Sequence, residues 1–197
     1  MPERTDRSDG PGLGHGDREH QRIGRCHDET LGIEDGDAEA PTVHPAIANE
    51  ETSMRLTSHT FDHQGAIPER YTCDGLDVSP PLTLDGMPVG TATLTVVMDD
   101  PDAPVGTWDH WVAYDVAPTD EIPEDATSLG TSGINSWGRT GYGGPCPPDG
   151  THRYFFTVYA LDTELGLQPG ADKATVLDAI AGHVLDEAVL MGRYSRS

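Results

Sequence analysis

Two junctions between a loop and a strand carry the residue types that could do chemistry. The first is Met98-Asp99-Asp100-Pro101-Asp102-Ala103-Pro104, which precedes His110. The second is Gly141-Tyr142-Gly143-Gly144-Pro145-Cys146-Pro147-Pro148, which leads into His152 and Tyr154. Two imidazoles, a phenol and glycine amides can donate the hydrogen bonds that phosphate, carboxylate or sulfate accepts. We predict that the two junctions line one small anion pocket.

The first junction predicts that Asp100 faces His110. One strand ends near Asp99 and another begins at His110, so both side chains lie at the same end of a sheet if these strands pair. A carboxylate beside an imidazole fixes its tautomer and favours its charged form. Pro101 biases Asp100 toward extended backbone, and Pro104 stiffens the same loop.

The second junction predicts that His152 and Tyr154 project together, because residues two apart on a strand share a face. The amide of Gly144 can approach a ligand closely, since glycine lacks a side chain. Each element by itself is also typical of ordinary structure: a solvated acidic loop, a structural histidine, a glycine turn. The prediction therefore depends on their joint arrangement.

The pattern from residue 54 to 161 is mostly β and is typical of a sandwich or a barrel. Strands are predicted over 93–98, 110–116 and 154–161, with a weaker one over 54–58. The strand over 154–161 is apolar on both faces, which favours a central strand covered on both sides.

A helix is predicted at the C-terminus, packed on the sheet. Asp172 is its expected N-cap and Gly192 its expected end, and His183 would lie within it as a surface contact. The buried stripe follows the i, i+4, i+7 spacing: Leu177, Ala181, Val184, Ala188 and Met191.

Composition divides the chain into two regions. Residues 1–53 contain no Phe, Trp or Tyr, and all of the aromatic residues follow Met54. A segment so poor in apolar residues cannot offset the entropy of ordering, so we predict a disordered acidic leader followed by one domain over 54–197. Two explanations stay open: Met54 is the true start, or the leader is a genuine acidic tail.

The charge is strongly negative, with 34 acidic against 12 basic residues and a net charge of -22. Lys173 is the only lysine, and residues 54–197 alone carry 21 acids and 7 basic residues. Such a surface is typical of a protein from a salt-rich cytoplasm, where repulsion is screened, although an ordinary acidic protein is the alternative. The scarcity of Lys and Arg argues against nucleic acid and anionic membranes as partners.

No stretch is long and apolar enough to span a membrane, and neither Met1 nor Met54 opens a signal peptide. We therefore expect a cytoplasmic protein without stable membrane insertion. Cys73 and Cys146 lie in the loops near the predicted pocket, so they could be neighbours. In a cytoplasm two reduced thiols are the default expectation, and whether the two cysteines pair stays open. Together with Cys26 they are too widely spaced to predict a zinc site.

Eight short motifs between Met54 and Tyr194 carry a family resemblance. They are Tyr71-Thr72-Cys73-Asp74-Gly75, Ser79-Pro80-Pro81-Leu82, Asp100-Pro101-Asp102-Ala103-Pro104, Gly106-Thr107-Trp108, His110-Trp111-Val112, Gly133-Ile134-Asn135, Gly138-Arg139-Thr140-Gly141-Tyr142-Gly143-Gly144-Pro145-Cys146-Pro147-Pro148 and His152-Arg153-Tyr154. Together they resemble the phosphatidylethanolamine-binding proteins, also called Raf kinase inhibitor proteins, and most closely their bacterial and archaeal branch.

The resemblance implies an antiparallel β-sandwich with short flanking helices and a small anion pocket at one end. It implies that this pocket is lined by Asp100, His110, Gly144, His152 and Tyr154. Asp74 is a further candidate, because its loop leads toward the same end. Leu84 departs from the family, which often has Trp there. Animal members of the family bind phospholipid headgroups and regulate kinases, plant members bind partner proteins, and some members inhibit proteases.

We therefore expect a non-catalytic protein that binds a small anion, such as phosphate, a phosphoryl headgroup or a carboxylate, and regulates a kinase, a protease or another partner protein. No cofactor is expected. One alternative is a hydrolase in which Asp100 and His110 activate Ser136. Others are a metal site built from Asp100, Asp102, His110 and His152, and an inhibitor acting through its surface loops alone.

Overall fold

The computed structural model describes residues 53–196, and these residues form two antiparallel sheets. The smaller sheet has the order β1-β2-β5, built from Arg55–Thr57, Leu82–Asp85 and Glu121–Ile122. The larger has the order β6-β4-β3-β7-β8, built from Thr131–Ser132, Trp108–Val116, Thr93–Asp100, Thr151–Leu161 and Val184–Ser195. The predictions for residues 1–53, a disordered leader or a misassigned start, lie outside the described residues except for residue 53.

The core lies between the two sheets and confirms the predicted sandwich. Leu56 and Leu84 of the smaller sheet pack with Val96, Phe156 and their neighbours on the larger one. Along β7 the buried side chains alternate, so His152, Tyr154, Phe156 and Val158 all face this core, as the period of two requires. Strand β7 is central, between β3 and β8, as predicted. Its opposite face is covered around Tyr159 and Leu161 but exposed at Thr151 and Arg153, so cover on both sides is incomplete.

The predicted C-terminal helix is wrong beyond its first two turns. The helix α1 spans Lys173–Ile180, and the Asp172 side chain caps it by accepting a hydrogen bond from the Thr175 amide at 2.8 Å. Gly182 then adopts a φ of 85°, which turns the chain into β8. His183 therefore lies between helix and strand. Strand β8 pairs with β7 along nearly its whole length.

The helix α1 covers the outer face of the larger sheet. Val176 and Ile180 pack there on Val112, Tyr114 and Leu161 in a second apolar cluster. No helix in residues 53–196 is both long and apolar enough to cross a membrane.

Sheet order decides which loops meet. Strand β3 lies between β4 and β7, and all three pair antiparallel. The C-terminal end of β3, the start of β4 and the start of β7 therefore lie at one end of the larger sheet. Asp100, His110 and His152 stand at those three positions.

Candidate functional site

A cavity of about 340 Å³ opens at this end of the sheet. Four of the predicted residues line it: Asp100, His110, Gly144 and His152. The remaining lining residues are Cys73, Asp77, Ala103, Pro104, Val105, Trp108, Trp137, Arg139, Cys146 and Pro148. The cavity is thus polar where the two loop junctions meet and apolar around its rim.

The imidazole partner of Asp100 is His152, not His110 as the sequence predicted. The Nδ1–H of His152 donates to Asp100 Oδ2 at 2.7 Å, and the two side chains are only 8% and 5% exposed. The other carboxylate oxygen, Oδ1, accepts from the Asp102 amide at 2.8 Å. Both oxygens of Asp100 are therefore engaged, and His152 keeps Nε2 as the nitrogen available to a ligand.

His110 is held by a backbone carbonyl instead. Its Nδ1–H donates to the Gly143 oxygen at 2.7 Å, and the Gly143 amide donates back to the His110 oxygen at 3.0 Å. Burial lowers the pKa of His110, and this outweighs the Gly143 carbonyl and the charge of Asp100, which act in the opposite direction. The expectation of a charged His110 is therefore wrong, and the neutral ring carries its lone pair on Nε2.

Tyr154 lies behind the two imidazoles and does not line the cavity. Its ring meets His110 edge-on, with centroids 5.2 Å apart, and stacks on His152 at 6.5 Å. The hydroxyl is buried without a hydrogen-bond partner among the described residues. Burial, followed by the charge of Asp100, raises the pKa of Tyr154, so the phenol stays neutral.

The glycine loop contributes shape more than free amides. The Gly144 amide donates to Asp77 Oδ1 at 2.6 Å, so the expectation that it is available to a ligand is wrong. A Cβ on Gly144 would lie 2.5 Å from the Tyr71 oxygen, so no larger residue fits there without a shift of the backbone.

Asp74 lies outside the cavity. Its carboxylate accepts from the Tyr194 hydroxyl at 2.8 Å and from Arg196 Nη2 at 2.9 Å. These groups border a separate depression of about 400 Å³ together with Glu69 and Asp149. The hydrogen bond from Arg196 lowers the pKa of Asp74, which marks a surface ion pair.

The lining residues that were not predicted from the sequence include Asp77, Trp137 and Arg139. Arg139 Nη2 lies 3.6 Å from Asp77 Oδ2, and its guanidinium lies 5.3 Å from the Trp137 ring centroid. The Trp137 ring meets His110 edge-on at 4.9 Å. A signal for Arg139 was present, because it is the one basic residue among the glycines that precede His152.

Cys73 and Cys146 form a disulfide with a Cα–Cα distance of 5.4 Å. The expectation that they are neighbours is confirmed, whereas the expectation of reduced thiols is wrong. Within residues 53–196, no group of three or more His, Cys, Asp or Glu side chains is placed to hold a metal ion. Of the four residues in the metal alternative, Asp102 does not join the other three: it turns to Arg153, whose hydrogen bonds lower the pKa of that carboxyl to about 2.

A sequence model of the phosphatidylethanolamine-binding protein family matches residues 57–195. The chain belongs to this family. A relative from the archaeon Methanothermobacter thermautotrophicus, named a UPF0098 protein, is 51% identical over 150 residues, which are 73% of this chain and 99% of the relative. A UPF0098 protein of Aquifex aeolicus is 46% identical over 152 residues, covering 73% of this chain and 89% of its own length.

Solved structures of the family agree with the fold. A structure from Chlamydia trachomatis, described as a phosphatidylethanolamine-binding protein homolog, superposes with a TM-score of 0.72 at 38% identity. An Escherichia coli structure described as a new member of the mammalian family gives 0.68 at 29% identity. Each comparison covers 74% of this chain and 99% of the other. The resemblance to the phosphatidylethanolamine-binding proteins, their bacterial and archaeal members included, is thereby confirmed.

Proposed function

We propose that the cavity binds a small anion, phosphate or the phosphoryl or carboxylate group of a larger molecule, without catalysing its reaction. The observation that carries the proposal is the convergence of His152 and Arg139 on one cavity whose carboxylates are already engaged. Asp100 accepts from His152 and from the Asp102 amide.

Asp77 is engaged in the same way as Asp100. It accepts from the Gly144 amide and lies beside Arg139. A ligand therefore meets ring nitrogens and a guanidinium rather than free carboxylate oxygens. The Arg139 guanidinium donates charge-assisted hydrogen bonds to an anion, and the His152 ring does so in its protonated form. The neutral His110 ring accepts through Nε2, which suits a protonated oxygen or an ammonium group of the ligand.

The apolar rim favours an anion attached to a short apolar group. Val105 and Trp137 stand at the mouth with 76% and 42% of their surface exposed. Pro104 and Pro148 add rigid apolar surface beside them. A phosphoryl headgroup would enter the polar floor while its substituent contacts this rim. Regulation of a kinase or a protease stays a prediction from the family resemblance.

The lining supports binding rather than hydrolysis. Among the described residues, the cavity wall contains no Ser, Thr or Lys, and its two cysteines are joined. Ser136, the nucleophile of the hydrolase alternative, accepts a hydrogen bond from the Asp109 amide at 2.8 Å and does not line the cavity. No activated nucleophile therefore faces a bound ester.

Calorimetric titration with inorganic phosphate and with phosphoethanolamine tests this proposal, at molar KCl so that only short-range contacts count. We expect saturable binding of at least one of the two, weakened tenfold or more by His152→Ala. The matched control is His183→Ala, which removes another histidine bonded to an aspartate, at 2.8 Å from Asp162 and away from the cavity. Absence of binding by both ligands, or equal binding by the two variants, would contradict the proposal.

A further inference from the structure

The Cys73–Cys146 disulfide joins two loops that border the cavity, Thr72 to Asp77 and Gly141 to Pro148. The two cysteines are 73 positions apart in sequence, both are exposed, and both line the cavity. A reagent that enters the cavity mouth can therefore reach the sulfur atoms.

Besides the disulfide, three hydrogen bonds and the close packing of the Gly144 backbone on Tyr71 and Thr72 join the two segments. The Cys73 amide donates to the Pro145 oxygen at 3.1 Å, and the Gly144 amide donates to Asp77 at 2.6 Å. The Tyr142 hydroxyl donates to the Tyr71 oxygen at 2.7 Å. Neither loop lies in a strand of either sheet. Segments held in this way open locally at lower free energy than a core strand does.

These loops carry part of the cavity wall. Asp77 belongs to the first loop, and Gly144, whose amide donates to it, belongs to the second. The Gly143 carbonyl, which fixes the ring of His110, belongs to the second loop. Separation of the loops would therefore release Asp77 from Gly144 and loosen the segment that also carries the acceptor of His110.

We infer that this disulfide is a redox switch that controls the cavity. In the oxidised form the disulfide keeps the cavity wall in place, and reduction by a dithiol lets the two loops separate. One thiolate of the reductant attacks an exposed sulfur, which forms a mixed disulfide and releases the other cysteine as a thiolate. The second thiol of the reductant then displaces the remaining cysteine. In sum, the Cys73–Cys146 bond gains two electrons and two protons, and the dithiol becomes a disulfide.

Binding and redox state are then linked in both directions. An anion in the cavity lies against both cysteines and shields them from attack. The ratio of the anion's affinities for the oxidised and the reduced protein equals the factor by which saturating anion shifts the redox equilibrium toward the disulfide. A reducing cytoplasm and an oxidising compartment would therefore hold opposite states of the site. This linkage rests on the proposed anion binding, whereas the opening of the loops does not.

The test uses the full chain with Cys26→Ser, so that the joined pair contains the only cysteines, before and after reduction with dithiothreitol. Phosphoethanolamine should bind at least fivefold more weakly after reduction, the lower end of typical coupling between sites. The double variant Cys73→Ser/Cys146→Ser should bind weakly whether or not the reductant is present. The amides of Gly143 and Gly144 should exchange with solvent at least ten times faster after reduction, while those of Phe156 and Val158 in β7 keep their protection.

Unchanged affinity together with unchanged exchange would overturn the inference. Loss of protection in β7 as well would overturn it too, because the disulfide would then hold the whole fold rather than the cavity. If the oxidised protein binds no phosphoethanolamine, the proposed function fails, and the exchange of Gly143 and Gly144 still decides whether reduction opens the loops.

Discussion

Two histidine–aspartate pairs stand near opposite ends of β7, and they differ in burial rather than in geometry. His152 and Asp100 meet at 2.7 Å with side chains 8% and 5% exposed. His183 and Asp162 meet at 2.8 Å with side chains 47% and 49% exposed. Water competes for the exposed pair, so that pair contributes little to stability. The buried pair must be satisfied internally and presents its remaining ring nitrogen to the cavity, where we propose that an anion binds.

The largest expected difference between the two histidine–aspartate pairs is in their contribution to the free energy of unfolding. Asp100→Ala should lower the free energy of unfolding by about 3 kcal/mol, because His152 and the Asp102 amide lose a buried acceptor. Asp162→Ala should change it by less than about 0.5 kcal/mol. Urea unfolding at molar KCl, followed by circular dichroism, measures both. Equal losses would mean that burial does not distinguish the pairs.

A second contrast between buried and exposed charge involves the only lysine. Lys173 Nζ lies between Asp99, at 3.1 Å, and Asp109, and its side chain is 16% exposed. Lys173→Met leaves two facing carboxylates without a cation and should cost about 2 kcal/mol. Arg55→Met, which breaks the exposed pair with Asp85, should cost less than about 0.5 kcal/mol. The same unfolding measurement applies, and a negligible effect of Lys173→Met would refute the contrast.

His110 predicts a dependence of stability on pH. Its pKa is lower in the folded protein than in the unfolded chain because it is buried. Well above about pH 6.5, the ordinary pKa of histidine, both states are neutral and the full contribution to stability is present. As the pH falls through that value the unfolded chain takes up a proton first, so stability should decrease between pH 7 and pH 5. His110→Asn keeps a donor for Gly143 and should lose less over this range; equal slopes would contradict the explanation.

The smallest expected effect is at the rim of the cavity. Arg139 is 55% exposed on its side chain, so solvent weakens its pull on an anion. Arg139→Gln should reduce phosphate affinity about threefold, roughly 0.7 kcal/mol, while Arg55→Gln leaves it unchanged. Calorimetry on the two variants measures this, and a loss as large as that of His152→Ala would place the main anion contact at the rim instead.

The strands could be predicted from the sequence because their residues are β-branched or apolar and are separated by proline and glycine. The segments predicted over 93–98, 110–116 and 154–161 all lie within observed strands. The period of two also placed His152 and Tyr154 on one face. These features depend on the local sequence, which is why they could be predicted.

The prediction of a long C-terminal helix was wrong for an identifiable reason. The spacing of Leu177, Ala181 and Val184 fits a helical stripe, but it runs across Gly182, whose positive φ ends the helical path. Beyond it, pairing with β7 decides the conformation, and that pairing is a tertiary contact. The glycine was visible in the sequence, whereas the neighbouring strand was not.

The partner of Asp100 could not be predicted from the loop that contains it. Pairing of β3 with β4 alone suggested His110, and the position of β7 on the other side of β3 brings His152 instead. The disulfide and the engaged Gly144 amide have the same origin, because each joins segments about 70 residues apart. Local sequence does not encode such distances.

The most direct test of the account is a phosphate titration followed by the ring ¹⁵N signals of His152 and His183 in one sample at molar KCl. The ring signals of the buried His152–Asp100 pair and of the exposed His183–Asp162 pair are then measured under the same conditions. Phosphate should produce a saturable shift at His152 Nε2 and no comparable shift at His183. Equal shifts at both rings, or none at His152, would contradict it.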